Sequence, residues 1–94
     1  MSASKAVAYF VSMGWTPAQA AGIAANLQAE SNFRPDAVGD GGPAYGIGQW
    51  HPDRQANFEK AFGKSIKDST LDEQLAFVHW ELTNTEKRAG DALR

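Results

Sequence analysis

Five glycines and one proline crowd the ten positions from Gly39 to Gly48, in a chain whose other segments mostly read as helix. Glycine at that density weakens helix and strand alike, and proline removes a backbone donor. The run Ala44-Tyr45-Gly46-Ile47-Gly48-Gln49-Trp50 is too broken for a long strand. The region from Asp36 to Gln49 therefore reads as tight turns or a small hairpin. What surrounds it has to be helical, and the fold class expected is mainly α: four or five short helices around a glycine-rich lobe.

The helices are marked by their ends. Ser4 to Met13 reads as a short helix with Val7, Phe10 and Val11 on one side, Ser2 or Ser4 as cap and Gly14 as stop. Thr16-Pro17-Ala18-Gln19 is a strong start: a Thr cap, Pro at the first helical position and Gln three residues after the cap. This helix runs to about Ser31, with Ala20, Ile23, Ala24, Leu27 and then Glu30 or Ser31 at three-and-four spacing, and Pro35 ends the element. Pro52-Asp53 opens a helix reaching Ala61 or Phe62, anchored by Phe58 and Phe62 and stopped by Gly63. Thr70-Leu71-Asp72-Glu73 is a second capping box, and its helix carries Leu71, Leu75, Val78 and Leu82 on one face, flanked by Phe77 and Trp80. Asn84 or Thr85 caps a last helix through Leu93.

Ninety-four residues are enough for one domain and too few for two, so residues 1–94 read as a single domain. The final helix stops without a cap, which reads as a fragment or as a domain continuing beyond Arg94. An apolar share of 43 % with three Trp, two Tyr and five Phe suffices for a core and argues against a disordered chain. The net charge of -2 and the lack of a basic cluster argue against nucleic acid as the main partner. Without cysteine the fold needs no disulfide. No apolar run approaches a membrane span, and the N-terminus lacks the uninterrupted apolar region of a secretory signal. An extracytoplasmic substrate would thus need another means of delivery.

Glu30 carries the chemistry. It falls at the end of the second helix, beside the stripe that Ile23 and Leu27 extend toward it. A general acid is useful when its pKa lies near working pH, and partial burial raises that of a Glu. Asp40 follows ten positions later, on chain that glycine leaves free to fold back. Glycosidic cleavage uses such a pair, one carboxyl protonating the leaving oxygen and the other stabilising the oxocarbenium-like carbon, holding water or acting as nucleophile. Taken singly, each residue has a plain alternative: Glu30 as a solvated surface group, Asp40 as an ordinary turn residue. Glu81 is the chief rival to Asp40 as second carboxylate, with pairing to Arg34, Arg54 or Lys87 as its own plain alternative. Flat rings and hydrogen-bonding groups for a sugar are offered by Asn32, Tyr45, Gln49 and Trp50, with His51 at the groove edge and Gly46 allowing close backbone approach. Trp50 suits a core as well as a groove. His51, Asp53 and His79 match no compact zinc spacing, and no nucleophile-elbow sequence is present. No metal or organic cofactor is implied.

The blocks Ala29-Glu30-Ser31-Asn32-Phe33 with Pro35, then Ala37-Val38-Gly39-Asp40, then Ala44 to Trp50 resemble the phage tail lysozyme family, peptidoglycan-degrading domains of the lysozyme-like superfamily. The likeness covers about Val7 to Arg94, and the segment Leu71 to Leu82 contributes a less specific block. The resemblance implies that Glu30, of the Glu-Ser pair, is the general acid and that Gly46, Ile47, Gly48 and Gln49 line the glycan groove. It implies cleavage of the β-1,4 bond between N-acetylmuramic acid and N-acetylglucosamine, by a virion tail component acting on the cell wall, as one domain of a larger protein or beside other tail subunits. A lytic transglycosylase, needing no second carboxylate, and a non-catalytic glycan-binding tail module are the alternatives.

Overall fold

The computed structural model describes residues 1–87 and Gly90. It is mainly helical, with short helices and one small hairpin. Helix α1 spans Ala3–Ser12, α2 Pro17–Ser31, α3 Pro52–Phe62 and α4 Leu71–Thr83; strands β1, Val38–Gly39, and β2, Ala44–Tyr45, lie between α2 and α3. A single 3-10 turn, Ile66–Asp68, joins α3 to α4. The helix expected through Leu93 falls largely outside the described residues.

Side-chain caps set the helix starts. Ser2 accepts from the Lys5 amide at the head of α1. At α2 both bonds of the capping box form: Thr16 Oγ1 accepts from Gln19 N at 3.2 Å, and Gln19 Oε1 from Thr16 N at 2.8 Å. Thr70 and Glu73 repeat the device on α4 at 3.1 and 2.9 Å. Gly63, at φ 75°, closes α3 in the left-handed conformation.

Three packing details differ from the sequence reading. Val11 points outward at 40 % exposure, because the buried face of α1 follows Ala6 and Phe10, with Ala3 and Val7 packed alongside. Helix α2 stops before Pro35 has any part in it: Asn32 and Phe33 both take left-handed backbone, φ 53° and 60°. Non-glycine residues adopt that region at a cost, and burial of the Phe33 ring offsets it. On α4 the buried side holds Gln74, Leu75, Phe77, Val78 and Glu81. Leu71 and Leu82 are only partly buried, and Phe77 lies inside the core rather than beside it.

The core gathers these faces into one apolar cluster. Phe58 stacks on Phe62 at 4.6 Å, and Phe77 meets Phe58 edge-on at 5.2 Å and Trp50 at 5.1 Å. Trp15 donates its indole N–H to His79 Nδ1 at 3.0 Å, tying the α1–α2 connection to α4.

The hairpin pairs Val38 with Tyr45 and Gly39 with Ala44, antiparallel. Beyond it the chain turns back, so that Tyr45 and Trp50 exchange backbone bonds of 3.0 and 2.9 Å. This turn folds over the Trp50 ring. A Cβ on Gly48 would come within 2.6 Å of the indole, and one on Gly46 within 2.8 Å of Gln74 Oε1. Side chains at these two positions would push the turn off its support.

Gln74 is that support. Its Oε1 accepts from Ile47 N at 2.9 Å, while Nε2 donates to Pro35 O at 2.9 Å and Ser69 Oγ at 3.0 Å. Gln74→Leu would strand several polar groups in a buried place and is expected to cost about 3 kcal/mol, roughly 10–20 °C in melting temperature for a chain of this size. Thermal unfolding checks this, and a shift of only a few degrees would contradict it. A second expectation concerns pH. The Lys64 ammonium, 2.8 Å away, and then the Thr70 amide hold the Glu73 carboxyl below its ordinary range. A lowered folded pKa means that this stabilisation is present above the ordinary range and lost as pH falls through the folded value. Glu73→Gln keeps the cap and loses the ion pair, so it should melt below wild type at pH 7, with the gap closing as pH falls through the lowered folded value. A gap independent of pH would refute the assignment.

Candidate active site

Glu30 ends the exposed side of α2, one residue before Ser31, which ends the buried side. The stripe of Ala20, Ile23, Ala24 and Leu27 continues to Ser31 and leaves Glu30 about 100° round the helix, open to solvent. Of the two residues that the spacing offered for the end of the stripe, the structure buries Ser31, and Glu30 lies beside the stripe without the partial burial expected of it. Its surroundings are nevertheless concave on both sides.

On one side lies a cleft of about 670 Å³ with Ile23, Leu27, Val78 and Leu82 as apolar walls and Gly48, Trp50, Arg54, Glu81 and Glu86 among its other borders. Such a volume falls within the ~300–1,000 Å³ typical of small-molecule sites. On the other side lies a smaller, more polar cleft of about 420 Å³, bordered by Ser31, Arg34, Asp36, Ala37, Val38 and Gln49. Glu30 borders both.

Ser31 fixes this arrangement. Its hydroxyl faces Ile47 O at 2.7 Å and Leu27 O at 3.0 Å, and its oxygen accepts from Phe33 N at 3.1 Å. With Gln74 on the Ile47 amide, both backbone groups of Ile47 are held by side chains of different helices. The glycine-rich turn is thereby docked against the end of α2 that carries Glu30.

A second polar lock borders the apolar cleft. Glu81, 3 % exposed, accepts from Trp50 Nε1 at 2.8 Å and Arg54 Nη2 at 2.6 Å through one oxygen, and from Arg54 Nε at 2.7 Å through the other. These are charge-assisted, two-pronged bonds. They push the Arg54 pKa up, against the opposing effect of burial, with the charges of Glu81, Glu86 and Asp53 adding to the rise.

The remaining candidates scatter. Gln49, at φ 48°, spends its Nε2 on Ala37 O and Gly46 O at 3.0 and 2.9 Å, and borders the polar cleft. Trp50 is fully buried, so it touches the apolar cleft from within the core and offers no open ring face. Asp40 sits in the turn of the hairpin and pairs with His51 Nε2 at 2.9 Å; both are exposed and neither borders either of the two clefts at Glu30. Asn32 serves as the left-handed cap of α2, and Gly46 is buried under the turn. Tyr45 is half-buried with Lys67 Nζ 5.9 Å over its ring, and burial, then Asp36 and Asp68, raise its phenol pKa. None of these three borders either cleft. Among the described residues no group of three His, Cys, Asp or Glu is placed to hold a metal ion, and no helix is long and apolar enough to cross a membrane.

With a helical fold, a hairpin lobe and a Glu-Ser pair at the mouth of two clefts established, comparison with known families is decisive. The family described as phage tail lysozyme matches residues 1–94. The chain belongs to the phage tail lysozyme family. Comparison with curated proteins and with solved structures returns no significant match. Family membership carries lysozyme-type activity toward peptidoglycan in a phage tail setting.

Sequence reasoning passed over Gln74 and the structural use of Ser31, whereas Arg54 was one of three partners it offered for Glu81, and the structure selects it. Gln74 was detectable as a polar residue three places after Leu71 and four before Val78 on an otherwise apolar face. Arg54→Ala would leave the Glu81 carboxylate buried and without its partner, at an expected ~3–5 kcal/mol. Changing Arg54→Gln together with Glu81→Gln leaves no buried charge and should recover most of that loss. Chemical denaturation of the three proteins measures both effects, and an innocuous Arg54→Ala would overturn the role given to this pair.

Proposed function

We propose that this domain is a muramidase that cleaves the β-1,4 bond between N-acetylmuramic acid and N-acetylglucosamine, with Glu30 as general acid. The observation that carries the reading is that Glu30 borders both clefts, so that a glycan lying across them would bring a glycosidic oxygen to its carboxyl. Glu30 protonates that oxygen as the bond to the sugar carbon breaks, and water adds to the carbon, returning its proton to the carboxylate. The apolar cleft suits a sugar face and the polar cleft its hydroxyls. Within the family setting, such a domain opens the wall locally from the virion tail, alone or with other tail subunits.

The second carboxylate is the point at which a rival gains support. Asp40 is engaged with His51 away from the clefts, and both oxygens of Glu81 are taken by Arg54 and Trp50. A single working carboxyl is what a lytic transglycosylase uses, the muramyl 6-hydroxyl taking the place of water. Mass spectrometry of muropeptides released from purified peptidoglycan separates the two. Reducing muramyl ends are expected, whereas 1,6-anhydro ends would transfer the assignment to the transglycosylase. Glu30→Gln should lower the rate by about 10²–10⁴-fold. Release unaffected by that change would remove Glu30 from the mechanism, and no release by wild type would leave a glycan-binding module.

A further inference from the structure

The Arg54–Glu81 pair is not explained by stability. Burying a carboxylate costs desolvation that an apolar pair of similar size would avoid, so such pairs are weak contributors to the folded state. What the pair does achieve is orientation. Glu81 grips Nε and Nη2 and leaves the Nη1 edge of a planar, permanently charged group without a partner among the described residues. The Arg54 side chain is 37 % exposed and borders the apolar cleft. The residue that carries this unengaged edge therefore borders a pocket whose apolar walls are Ile23, Leu27, Val78 and Leu82.

Charge narrows the ligand. Glu81 cancels the guanidinium, and the other titratable side chains bordering the cleft, Glu30 and Glu86, are acidic, so nothing there gives an anionic group a net attraction. A neutral acceptor beside a small apolar group needs none. The acetamido substituent of an N-acetylated sugar has that composition, a carbonyl oxygen and a methyl.

We propose that Arg54 is a specificity-determining residue that reads the 2-acetamido group of a sugar in the apolar cleft, Nη1 donating to the carbonyl while the methyl lies against Ile23, Leu27 and Val78. The inference rests on the glycan reading above and adds to it which substituent is recognised, and by what. Glu81 is then a positioning residue, holding the guanidinium in the plane that the carbonyl needs.

The test measures binding without turnover, in the Glu30→Gln background, with two neutral probes differing only at carbon 2: the β-1,4 tetramer of N-acetylglucosamine and the β-1,4 tetramer of glucose. The acetylated tetramer should shift and slow the exchange of the Arg54 guanidinium NMR signals, and the glucose tetramer should not. Adding Arg54→Gln with Glu81→Gln should weaken binding of the acetylated tetramer about tenfold or more and leave the glucose tetramer unchanged. Equal binding of the two probes with unmoved Arg54 signals would overturn the proposal, as would an equal loss for both in the double variant. Should that variant fail to fold, the NMR comparison decides alone. Muropeptide release by wild type is read separately, so loss of acetamido selectivity and absence of cleavage are distinct results.

Discussion

Both backbone groups of one residue, Ile47, are held by side chains from helices far apart in the sequence: its carbonyl by Ser31 at the end of α2, its amide by Gln74 on α4. Everything at the candidate site follows from this double grip. A glycine-rich turn has little side-chain packing to define it, and its backbone groups must be paired when buried. Here Ser31 and Gln74 supply the pairing that neighbouring strands would provide in a sheet. Because Ser31 follows Glu30, the same bond that docks the turn also fixes the backbone that carries Glu30 beside the groove.

The second lock works on the other wall. Glu81, Arg54 and Trp50 join α4, α3 and the end of the glycine-rich turn through buried, charge-assisted bonds. Trp50 is central to both regions, since its ring underlies Gly46 and Gly48 and meets Phe77 of the core. The apolar cleft is thus bordered by α2, α3, α4 and the end of the glycine-rich turn, the last three joined by these bonds. Precise placement of reacting groups depends on rigidity of this kind.

Much of the scaffold was legible because helix ends announce themselves locally. The Thr16–Gln19 and Thr70–Glu73 boxes, Pro17, Pro52 and Gly63 each act within four residues, and the structure places helix boundaries where they stand. The side on which a residue faces was less legible near the end of α2, where Glu30 and Ser31 both fit the spacing and the structure buries only Ser31. Polar residues on the inner face of α4 were harder still. Gln74 and Glu81 are stabilised by partners 27 to 39 positions away, and no local pattern reveals such partners. Trp50 illustrates the same limit: an aromatic after a glycine run fits groove or core, and only the Phe77 packing and the Glu81 bond decide for core.

Amide hydrogen exchange at Ile47 tests the double grip most directly. If Ser31 and Gln74 clamp this residue, its N–H should exchange as slowly as the core amides of α4, opening only with global unfolding. Fast exchange at Ile47 while α2 and α4 stay protected would mean that the turn opens on its own. The groove would then lack the fixed frame on which the placement of Glu30 depends.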